Sequence, residues 1–156
     1  MALTIRERIL REWESRIRAM AAPDYSVSWN KVSRAPLNRL QKLMKYGVSL
    51  LDINQVATEV TGATQQDMTV LVEFHVKNTY GENISQRMNE ILGDFIKLFK
   101  SDMHTTEAST GVTLSMNIRV VSSEFDIEEN QDNFVNGFVE LVITYRHKYN
   151  DATVKV

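Results

Sequence analysis

At 156 residues and 17.9 kDa the chain has the size of one domain. Hydrophobic residues make up 43% and charged residues 24%, the balance of a folded globular chain rather than a disordered one. A net charge of −2 argues against a general nucleic-acid binder, and the absence of cysteine excludes disulfide staples, zinc ribbons, iron–sulfur clusters and thiol nucleophiles.

Residues 1–20 carry charges every few positions and no apolar core segment, so no signal peptide is expected there. No apolar run approaches ~18 residues, so no membrane-spanning helix is expected and folding in a cytoplasm-like compartment is. Residues 3–20 predict an amphipathic helix, because Ile5, Ile9, Trp13, Ile17 and Met20 recur on one helical face. Thr4 and Glu7 have capping-box spacing, and Pro23 ends the run. Residues 25–34 alternate as an extended segment, and residues 37–46 fit a short helix or an ordered loop.

Two strand-like runs follow, 48–53 and 55–60, with a turn at Thr61-Gly62-Ala63. Residues 69–77 alternate clearly, with Val70, Val72, Phe74 and Val76 on one face. Residues 83–100 predict a second helix with a wide apolar stripe. Residues 101–111 are polar and are expected to be a flexible loop. Residues 112–121 predict a strand with Val112, Leu114, Met116, Ile118 and Val120 on one face, and residues 122–133 an acidic, flexible loop. The last long strand, 134–147, puts Val135, Val139, Leu141, Ile143 and Tyr145 on one face; a weakly ordered tail, 148–156, closes the chain. The expected fold is a single α+β domain over residues 1–156, a mostly antiparallel or mixed sheet with two main helices packed on it. The two final strands are placed to pair as a hairpin.

Chemistry is sparse. His75 and His147 sit on different strands and would meet only across the sheet, with Glu73 as the one obvious further ligand; His104 lies in a loop. Solvated histidines on a sheet face are the simpler reading. The six glycines are scattered singly, so no phosphate-cradling loop is present. The carboxylates of the acidic loop lack EF-hand spacing and lie in a polar stretch, whereas catalytic carboxyls need rigid, partly apolar pockets. No catalytic residue, metal site or cofactor is expected.

Charge is patterned more strongly than any motif. Between Tyr25 and Leu51 stand five basic residues, Lys31, Arg34, Arg39, Lys42 and Lys45, and no acidic one. Between Ser122 and Asn133 stand five acidic residues, Glu124, Asp126, Glu128, Glu129 and Asp132, and no basic one. Two solvated surfaces of opposite sign account for this. So does contact between the basic segment of one copy and the acidic loop of the next, a head-to-tail arrangement that closes into rings when the rotation permits.

The order of these features resembles the tail terminator proteins of long-tailed bacteriophages, the minor tail protein U type, over roughly residues 3–149. The features are the N-terminal helix, the extended segment with Arg34-Ala35-Pro36-Leu37, the paired strands, the helix after a polar turn followed by Lys100-Ser101-Asp102, and a last strand ending Tyr145-Arg146-His147-Lys148-Tyr149. Residues 31–46 depart from the pattern by being longer and more basic than a simple connector. The resemblance implies a virion structural protein, assembled in the host cytoplasm and located in the tail. Its copies would form a hexameric ring that ends tail-tube polymerisation and offers a surface for head-side neck proteins. The implied partners are further copies of itself, the tail tube protein and the neck or connector proteins, with no membrane and no sequence-specific nucleic acid. A head–tail connector or head-completion protein is the nearest alternative, and a small-ligand-binding α+β protein or enzyme a more distant one.

Overall fold

The computed structural model describes residues 1–36, 45–78, 83–126 and 134–156. Its elements are α1 (Ile5–Arg18), β1 (Lys31–Ser33), β2 (Tyr46–Val60), β3 (Ala63–Lys77), α2 (Ile84–Ser101), β4 (Ser115–Asp126), β5 (Phe134–Lys148) and β6 (Asp151–Lys155). The strands form one sheet in the order β1-β2-β3-β5-β4, with β6 added to the end of β5. Only the β1–β2 pair is parallel. The α+β architecture with two helices on a mixed sheet is therefore present.

Both helices start as local chemistry requires. The Thr4 side chain accepts from the Glu7 N–H at the head of α1, and the Asn83 side chain from the Gln86 N–H at the head of α2, each satisfying an amide the helix leaves open. Their apolar stripes cover one face of the sheet. Ile9, Trp13 and Ile17 of α1 and Met88, Ile91, Phe95 and Phe99 of α2 are buried with Val70, Val72, Phe74, Val139, Leu141 and Ile143. Each such side chain contributes about 1.5–3 kcal/mol on burial. Trp29, from the segment before β1, stacks on Phe95 with ring centres 5.3 Å apart and meets Phe74 edge-on. The Asp94 carboxylate of α2 accepts from the Ser26 N–H at 2.7 Å, which anchors that segment over the core.

Several expectations are revised. The runs 48–53 and 55–60 are one strand, β2, because the register slips between Asp52 and Asn54; the bulge at Ile53 breaks the alternation without breaking the pairing. β2 and β3 then form a long hairpin whose turn holds Gly62 at φ +74°, a conformation glycine adopts without penalty. β4 begins at Ser115, and its register slips twice. The expected stripe consequently survives at Leu114 and Ile118, while Met116 and Val112 are exposed and Ser115 is buried.

Residues 122–126, expected in the acidic loop, are strand: Ser122 to Asp126 pair with Glu140 to Asn136 of β5. The tail is also not formless, since β6 folds back on β5 after a turn at Tyr149 and Asn150. The Asp151 carboxylate accepts from the Thr153 hydroxyl and N–H, which hold its pKa below the usual value.

The polar run after α2 is the largest revision. It is fastened to α1 along its length. Arg8 donates two bonds to Glu107, at 2.9 and 2.6 Å, and Arg16 bonds Asp102 at 3.0 Å and the Thr106 carbonyl at 2.6 Å. Glu12 accepts from the Ala108 N–H, and Thr106 bridges to Thr113. Polar composition concealed this because the fastening groups are themselves polar: α1 carries arginines on the flank of its apolar stripe, and the loop carries the matching carboxylates.

Candidate functional site

The helices leave the second face of the sheet uncovered by any described helix. Strand alternation places Glu73 and His75 of β3, Glu124 and Asp126 of β4, and Asn136 and Phe138 of β5 on this outer face, in register across three strands: Glu73 opposes Phe138, which opposes Glu124; His75 opposes Asn136, which opposes Asp126. With Pro36, these residues line a cleft of about 610 Å3. Its floor is aromatic and its rim carries carboxylates, a combination suited to a cationic or amphipathic group rather than an anion.

His75 forms the buried wall. It is 2% exposed and stands edge-on to Phe134 with ring centres 5.2 Å apart. The imidazole fits because its neighbour across the pair is Gly47, where a Cβ would lie only 2.2 Å from His75 Cε1. That position in β2 thus needs glycine for space and not for backbone freedom. On the helix side Gly137 has the corresponding role: a Cβ there would lie 2.5 Å from Phe74 Cζ.

The sequence-derived contact residues are distributed unevenly. Lys31 lies half-buried in β1, and Arg34 reaches Glu7 of α1 at 3.4 Å. Lys45 lies at the entrance of β2, its Nζ 5.4 Å from the centre of the Tyr46 ring. Glu124 and Asp126 are exposed on β4. Arg39, Lys42, Glu128, Glu129 and Asp132 lie outside the described residues. Ala35, whose carbonyl accepts from the Ser49 hydroxyl at 2.6 Å, is followed by Pro36, which lines the cleft together with Glu124 and Asp126.

His75 and His147 do not meet. His147 pairs with Thr64 at the opposite end of β3 from His75 and bonds Gln66 on the helix side. Eleven residues of strand separate Thr64 from His75, about 36 Å at ~3.3 Å per residue. Among the described residues no group of three or more His, Asp or Glu is placed to hold a metal ion.

Two features escaped the sequence. One is the ionic seam between α1 and the residue 102–111 loop, which no local pattern signals because its partners lie ~90 positions apart. Within it Arg8 and the Thr110 hydroxyl lower the Glu107 pKa to about 2. The other is the length of strand edge left open on β2 and β4, which depends on which strands become neighbours. No protein-family model and no curated protein sequence matches the chain.

Proposed function

We propose that this chain is a non-enzymatic virion assembly protein of tail-terminator type, which forms a ring on the end of a phage tail tube, stops its growth and offers the surface to which the head side attaches. The observation that carries this reading is the outer sheet face, which no described helix covers. Leu51, Leu71, Phe138 and Val142 lie half-buried there beside Glu73, Glu124 and Glu140. A sheet face clothed by no described helix, with apolar groups between charges, is suited to docking against protein. The order of elements that resembles the terminator family supports the same reading, as does a sequence without thiols or phosphate loops. In this mechanism one ring face matches the last tube ring and the opposite face does not, so the next tube subunit finds no seat.

The test is light scattering of the purified chain followed by addition to purified tail tubes. A ring-sized particle that caps tubes and limits their length supports the proposal. A single-chain mass at high concentration, with no binding to tubes, ends it. A second reading, a small-ligand-binding protein, is favoured by the cleft alone, whose volume lies in the range of ordinary ligand sites. Capping of tubes by a purified chain that binds no small molecule in the cleft would separate the two.

A further inference from the structure

The sheet has two long open edges, and their geometry is complementary. β1 lies beside β2 only at Gly47, Val48 and Ser49. From residue 50 to residue 60 no described strand flanks the outer edge of β2. β4 pairs with β5 on one side and with no described strand on the other. These edges are the opposite margins of one sheet.

Monomeric proteins protect such edges with lysine, proline, short strands or bulges, because unpaired backbone groups template further pairing. β2 carries one bulge, at Ile53, and β4 two, at Met116 and Val121, yet the stretches beside them are poorly guarded. Residues 54–58 of β2, Asn-Gln-Val-Ala-Thr, hold no charge, and Val56 is 57% exposed. Residues 117–121 of β4, Asn-Ile-Arg-Val-Val, hold one charge, and Val121 is 50% exposed.

Strand direction decides how two copies would join. β2, β3, β5 and β4 alternate strictly, each antiparallel to the next, so β2 and β4 run in opposite directions. A second copy placed beside the first in the same orientation therefore brings its β2 antiparallel to the first copy's β4. The alternation continues without a break, and the operation is a rotation that repeats rather than a two-fold that stops.

We infer that copies of this chain join head to tail by strand addition, the β2 edge around residues 54–58 of one copy pairing with the β4 edge around residues 117–121 of the next. The inference rests on the ring reading for its biological setting and specifies the seam that reading leaves open.

The experiment uses the full-length chain. Val56→Lys and Val121→Lys each place a charge on an exposed edge position, and circular dichroism checks that the fold persists. Light scattering is expected to show a fall from the oligomer mass to the single-chain mass at concentrations where the unsubstituted chain is assembled, a weakening of tenfold or more. Hydrogen exchange at residues 54–58 and 117–121 is expected to slow on going from dilute to assembled protein. If both lysine variants assemble like the unsubstituted chain and neither edge gains protection, the seam is elsewhere, while the ring itself stands. An oligomer that stops at two copies overturns the head-to-tail arrangement. A chain that is single at every concentration, with or without tubes, overturns the ring reading together with this inference.

Discussion

Glycine 137 shows how much one missing methyl decides. Its position in β5 faces Phe74, which is locked between Trp29 and Phe95. Gly137→Ala is expected to cost about 1–3 kcal/mol, because neither the aromatic cluster nor the Glu124 carbonyl, 3.1 Å from the added carbon, has room to retreat. Urea unfolding measures the loss, and the double variant with Phe74→Leu is expected to recover part of it, since the two sites share one space. Glu107 is a different case, a carboxylate whose value depends on pH. Held at about 2 by Arg8 and Thr110 against an ordinary 4.5, it stabilises the fold fully above pH 4.5, and that contribution fades as pH falls toward 2. Glu107→Gln is expected to lower stability by roughly 1–3 kcal/mol at pH 7, by leaving Arg8 without its acceptor. The gap between variant and unsubstituted chain should close as unfolding is measured at successively lower pH. A gap that stays constant from pH 7 to pH 2.5 would refute the assignment.

Elements depend on such residues at their ends and seams. α2 begins where the Asn83 side chain caps the Gln86 amide, so Asn83→Ala is expected to cost about 1 kcal/mol, read as a lower urea midpoint with an unchanged slope. The loop after α2 turns on Thr105, fully buried at φ +45°, an unusual conformation for a β-branched residue. Its hydroxyl accepts from Trp13 Nε1 at 3.0 Å and lies 2.9 Å from the Ser115 hydroxyl, so one side chain joins α1, the loop and β4. Thr105→Val keeps the shape and removes the acceptor. It is expected to destabilise by about 1–3 kcal/mol and to shift Trp13 fluorescence, because a buried indole N–H is then unsatisfied. The helices were legible in the sequence because each needs only its own periodicity and cap. The loop was not, since its order comes from α1, and the bulges in β2 and β4 were not, since alternation reads as continuous until a partner strand shows the slip.

For the whole molecule the outer face that no described helix covers and the two edges that no described strand flanks matter most. Phe138→Lys, in the middle of that face, is expected to leave the circular dichroism spectrum unchanged and to reduce tube capping at least tenfold; capping at the original level would move the docking surface elsewhere. The periodic apolar positions of α1, α2, β3 and β5 determined by themselves that two helices would pack on a sheet, because burial needs only the right spacing of apolar groups along the chain. Composition likewise determined that disulfide and thiol chemistry is out of reach, since the chain has no cysteine. Only the tertiary structure decided that Pro36 and the acidic residues Glu124 and Asp126 border one cleft, that His75 and His147 lie far apart, and that β2 and β4 lie near the margins of the sheet. Each of these depends on strand order and register, which are set by pairings between distant parts of the chain and leave no mark on any local stretch of it.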